Sequence, residues 1–179
     1  MTRIGYEYAQ ALFSLASDEG LSDRIADEME VVGKTVSDNP TFLRILSAPN
    51  LSKDERCGIV DTCYRGRVHP YVLNFIKLLT EKGFARSLPD CCSGYRELYN
   101  EANGILPVTV LSAFRLTQDQ SDRLRKKLEE TTGKRVVLTE REDPTCLGGL
   151  RLDYDGKRVD DTVRHRLDSV RNMLMNARV

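Results

Sequence analysis

The sequence has no surplus of charge: 27 Lys and Arg stand against 27 Asp and Glu. Such a balance leaves no long-range field to gather nucleic acid or an anionic membrane surface. No stretch approaches the ~18 uninterrupted apolar residues of a membrane span. The opening "MTRIGYEYAQALF" sets Glu7 inside an amphipathic helical pattern, unlike a signal-peptide core or an acid-poor transit peptide. The expectation is a soluble chain that stays where it is made. Histidine is scarce, with two residues, and the five cysteines (Cys57, Cys63, Cys91, Cys92 and Cys146) form an odd set without a CxxC pair. The adjacent Cys91 and Cys92 could bridge only through a strained bond, so buried free thiols in a reducing cytoplasm are expected. With two histidines and no Ser, Asp or Cys arranged around them, a nucleophilic mechanism lacks its base.

What the sequence does hold is 179 residues, 40% of them hydrophobic, enough for one or two domains with real cores. From Ile4 to Ala102 the apolar residues recur at helical spacing, and six helices are expected there. Asn39 before Pro40 reads as an N-cap, and Ser52 with Glu55 as a capping box. Beyond Gly104 the period changes to two: in "ILPVTVLSAF", Val108, Val110, Ser112 and Phe114 point one way. Thr117 and Gln120 make a second capping box, "KRVVLTER" reads as another strand, and two further strands and a last helix follow. The expected class is therefore α+β, an all-α half over residues 1–104 and a small α/β domain over residues 105–179.

The stretch "DPTCLGGLRLDYDGKRVDDTVRHRLDSV" concentrates glycine, charge and His165. The Gly148 and Gly149 pair has no following GK and no third glycine, so neither a phosphate loop nor a dinucleotide fingerprint is present. Setting Gly156 on the invariant glycine of a calcium loop puts Arg151 at the first ligand position and Thr162 where a bidentate Glu belongs, so no metal is expected. What survives is a hairpin turning on Asp155 and Gly156, with Asp160 capping the final helix. From Asp143 onward seven basic residues face six acidic ones, whereas a nucleic-acid face needs a surplus and stacking aromatics. No catalytic residue, cofactor or nucleic-acid partner is expected.

Two helices are apolar on more than one side. In the first, Ile4, Tyr8, Ala11, Leu12 and Leu15 share one arc and Tyr6, Ala9, Phe13 and Ala16 the next, together roughly 220° against the ~100° stripe of a surface helix. The fifth, "YVLNFIKLLTEK", does the same. Either both are central helices buried on most sides, or a partner's amphipathic helix docks between them.

Five pieces in order, "YAQALFSLA", "NPTFLRILSAPNLSKDE", "NFIKLLTEKG", "LTQDQSDRLRKKLEETTGKRVVL" and the glycine-rich stretch above, resemble the delta subunits of bacterial F-type ATP synthases, the oligomycin-sensitivity-conferring proteins of mitochondria. The resemblance covers nearly the whole chain. It implies a non-catalytic stator subunit of the proton-translocating synthase, peripheral to the cytoplasmic face of the bacterial inner membrane and bound to that membrane only through the complex. It implies a six-helix N-terminal bundle that binds the N-terminal helices of the alpha subunits, and a C-terminal domain joined to the b subunits. Carried over, the alpha-binding face falls on Tyr8, Ala11 and Leu78, and helix geometry extends it to Ile4, Leu15 and Phe75. Gly148, Gly149, Asp155, Gly156 and Asp160 become a structural signature of the stalk-binding domain. From a different class, a small RNA- or nucleotide-binding regulatory protein with a helical accessory domain is the alternative. An enzyme remains possible only if a metal or cofactor is found.

Overall fold

The structure, a computed structural model, describes residues 2–167 and divides the chain into two compact units, Met1–Tyr99 and Asn100–Val179. The class is α+β. The division falls inside the sixth helix, a few residues before Gly104, where the apolar period switches.

The first unit carries α1 (Arg3–Asp18), α2 (Ser22–Asp38), α3 (Pro40–Leu46), α4 (Lys53–Tyr64), α5 (Pro70–Glu81) and most of α6 (Leu88–Ala102), with a short 3-10 turn over Ala85–Ser87. Local chemistry sets where the helices begin. The Thr2 hydroxyl accepts from Gly5 N, and Ser52 with Glu55 closes a reciprocal box at 3.2 and 2.8 Å, satisfying backbone donors that the first turn leaves open. Asn39 departs from expectation: its side chain donates to the Thr35 carbonyl at 3.0 Å, and α3 starts without a side-chain cap. The end of α2 and the start of α3 compete for one side-chain amide, and the Thr35 carbonyl of α2, which also accepts the Asn39 backbone N–H at 3.1 Å, takes it. The core is a single cluster in which Tyr95, Ile25, Met29, Leu46 and Leu79 lie wholly inside. Phe13 meets Tyr95 edge-on at 5.6 Å, and the Tyr95 hydroxyl donates to the Ser22 carbonyl. This places α1 and α5 on the outside of the core with one face each left over.

The second unit is a four-stranded sheet in the order β2-β1-β3-β4, built from β1 (Ile105–Ser112), β2 (Arg135–Glu142), β3 (Leu150–Tyr154) and β4 (Lys157–Asp160). β1 and β2 pair in parallel through the crossover helix α7 (Gln118–Thr132), which a parallel pair requires. β3 runs antiparallel to β1, and β4 to β3. Leu106, Val108 and Val110 alternate inward along the central strand and meet Val136, with Leu124 and Leu128 of α7 packed on them. The strand ends at Ser112, so Phe114 does not continue its inner face but stands 79% exposed. The last helix is described over 163–167; the rest of the expected final helix, with Arg171 and Arg178, falls on residues outside those described.

Candidate functional site

On α1, Ala9, Leu12 and Ala16 turn into the core, and on α5 Val72, Ile76 and Leu79 do the same. A helix that buries one stripe leaves its neighbouring positions outside unless a second layer covers them. Here the leftover faces of α1 and α5 adjoin and enclose a groove of about 600 Å³. Tyr8, Ala11 and Leu15 form one wall, Tyr71 and Leu78 the other, and Phe75 with Leu12 the floor. Leu15 and Leu78 are 41% and 40% exposed although both are aliphatic, whereas Phe75 is only 7% exposed. Five of the six residues expected on the partner face therefore line one groove. Ile4 does not line it: it stands one turn before Tyr8, ~6 Å further along α1 at the helical rise, and Tyr8 already packs on Phe84, which follows the end of α5. Phe75 belongs to the core as well as to the groove, because its position on α5 lies between the two faces.

The rim of the groove is polar, with Asn74, Lys77 and Glu81 along one side of α5. Lys77 Nζ lies 2.6 Å from the carboxylate of Asp61 on α4, which also takes Arg65 at 2.7 Å. The Lys77 ammonium, foremost, holds the Asp61 carboxyl below the usual carboxylate range. Among the described residues, Glu81 accepts from the Cys57 thiol, Sγ to Oε1 at 3.7 Å. Burial, and then the neighbouring Glu81 charge, pushes the Cys57 thiol up. Sequence reading missed the Asp61–Lys77 pair, since nothing in a spacing of sixteen residues marks two helices as neighbours.

In the second unit the glycine-rich stretch forms the β3–β4 hairpin and the turns that flank it. Asp155 and Gly156 have φ of 48° and 68°, and Tyr154 pairs with Lys157, which makes a two-residue turn of the kind that matches strand twist. Asp160 does not cap the last helix directly. Its carboxylate accepts from Thr162 N at 3.0 Å and the Thr162 hydroxyl at 2.7 Å, while that hydroxyl accepts from His165 N at 3.2 Å. Thr162 is thus the cap and Asp160 its support, because the chain stays extended through 160 and turns two residues later. Three basic side chains here have acidic neighbours: Arg158 bonds Asp153 at 2.8 Å, Arg151 lies 3.5 Å from Asp153, and Arg166 pairs with Asp161. His69 caps α5, its Nδ1 accepting from Tyr71 N at 3.3 Å. Among the described residues no group of three or more His, Cys, Asp or Glu is placed to hold a metal ion.

The family model described as ATP synthase delta (OSCP) subunit matches residues 4–174. The ATP synthase subunit delta of Chlorobium luteolum is 32% identical over 167 residues, 93% of this chain and 92% of the relative. That of Moorella thermoacetica is 30% identical over 174 residues, covering 97% of each. Among solved structures, a chain in the cryo-EM structure of the Toxoplasma gondii mitochondrial ATP synthase hexamer superposes with a TM-score of 0.77 at 16% identity, over 97% of this chain and 98% of that one. At that identity the likeness is one of fold.

Proposed function

The chain belongs to the ATP synthase delta (OSCP) subunit family and works in the peripheral stalk of an F-type ATP synthase, and from that premise we propose that its first unit grips the catalytic head and its second the stalk. The six helices of the first unit form a bundle whose α1–α5 groove takes an amphipathic N-terminal helix of an alpha subunit. The second unit joins the b subunits. The chain itself catalyses nothing and holds the head still against rotor torque. Attachment to the cytoplasmic face of the membrane is indirect, and no helix among the described residues is long and apolar enough to cross.

The observation that carries this reading is the groove: two aliphatic side chains, Leu15 and Leu78, stand about half-covered on either wall above a floor already closed by the core. Apolar surface of that kind, rimmed by polar groups, marks an interaction site, and its shape suits a helix presenting anchors at i, i+3, i+4 and i+7.

The test is purification of the tagged chain from salt-washed membranes. Recovery with alpha, beta and b subunits is expected. Recovery of the chain alone, or with nucleic acid, would overturn the assignment.

A further inference from the structure

We propose that Glu81 makes the groove selective for a docked helix that carries a basic residue beside its apolar stripe, at the end that lies near Tyr8. This rests on the groove being a helix-docking site. Asn74, Lys77 and Glu81 recur at three- and four-residue spacing, so they lie along one side of α5 and flank the apolar floor. Their charges do not reach the occupant equally. Lys77 is tied to α4 by the 2.6 Å contact with Asp61, and its side chain is 24% exposed. Glu81 is exposed, and among the described residues its contact is the neutral Cys57 thiol rather than a cation. It is also the last residue of α5, where the helix dipole adds negative potential to its own charge. An incoming cation at this spot therefore meets two attractions. A helix without one would displace water from a carboxylate that no cation among the described residues neutralises, at a cost, and a helix with an acidic residue there would meet like charge. Tyr8 fixes which end of the groove this is, because its ring lies 6.0 Å from that of Phe84, three residues beyond Glu81.

The experiment uses the full chain and a synthetic peptide of the alpha subunit's N-terminal segment, with each Lys and Arg of the peptide replaced in turn by Gln. One of these replacements should weaken binding about five-fold at low salt, the upper end for a rim ion pair. It should have no effect on the Glu81→Gln chain, and the loss should shrink as salt screens the pair. Glu81→Lys should weaken the unmodified peptide further. If the unmodified peptide binds and Leu78→Asp weakens it, but no basic residue couples to Glu81, the groove stands and the selectivity assigned to Glu81 is wrong. If the unmodified peptide fails to bind, or binds the Leu78→Asp chain equally well, the groove assignment falls and this inference with it.

Discussion

A Cβ on residue 149 would stand 2.3 Å from the carbonyl oxygen of Asp161. The backbone there has φ of 79°, so Gly149 is required both by its conformation and by the close passage of the segment leading into the last helix. Two hydrogen bonds fix that passage, Asp161 N to the Leu150 carbonyl and Val163 N to the Gly148 carbonyl, each at 3.0 Å. The contact joins the start of β3 to the segment that follows β4, so it fixes where the last helix begins.

Gly149→Ala should accordingly destabilise the second unit by about 2 kcal/mol or more, from forced φ and overpacking together. Differential scanning calorimetry of the full chain would read it. An unshifted transition would mean the two segments separate without cost.

Gly156→Val isolates conformation from crowding, because nothing lies within 4 Å of its missing Cβ. A loss of about 1 kcal/mol is expected from the positive φ alone. Thermal melts of the two glycine variants side by side should rank Gly149→Ala as the costlier, and the reverse order would be inconsistent with the close passage at Asp161.

Acid sensitivity follows from Asp61. Its folded-state carboxyl is held below the usual value, chiefly by Lys77, so its contribution is present above its unfolded pKa, ~4, and is lost as pH falls through the lower folded value. Asp61→Asn should lower stability near neutral pH and flatten the remaining decline below about pH 4. Melts between pH 6 and pH 3 would show this, and parallel curves for parent and variant would contradict it.

Thiol reactivity should divide the cysteines. Burial pushes the Cys91 and Cys92 thiols up to about 12, and Cys146 is buried, while Cys57 and Cys63 are half-buried. At neutral pH a disulfide reagent should modify at most Cys57 and Cys63 in the native chain and all five in denaturant, since the thiolate is the reacting species. Rapid native labelling of Cys91 or Cys92 would show that α6 opens readily.

What the sequence made legible was local. Ser52 with Glu55, Thr117 with Gln120, and Asp155 with Gly156 each carry their geometry within four residues, and each forms the cap or turn its spacing implies. Features fixed by competition or by distance were not legible. Asn39 could serve either of two helix ends, and only the packed structure decides. Phe114 continues an alternation that ends at Ser112, where β1 runs out of partners. Asp160 and Thr162 are both capping residues by type, and where the chain turns assigns their roles. The groove was half-visible: two helices too apolar for one core raised it, but its polar rim and the placing of Ile4 outside it needed the packing of α4 and α5 and the position of Phe84.

Leu78→Asp, followed by a thermal melt and a titration with the alpha subunit's N-terminal peptide on the same preparation, tests the docking groove most directly. Leu78 is 40% exposed, so the melt should stay within about 0.5 kcal/mol of the parent, as surface changes usually do. Affinity should fall at least ~30-fold, the loss of one buried anchor worth ~2 kcal/mol. A collapsed melt would make Leu78 part of the core, and an unchanged melt with unchanged affinity would place the alpha-binding surface elsewhere on the chain.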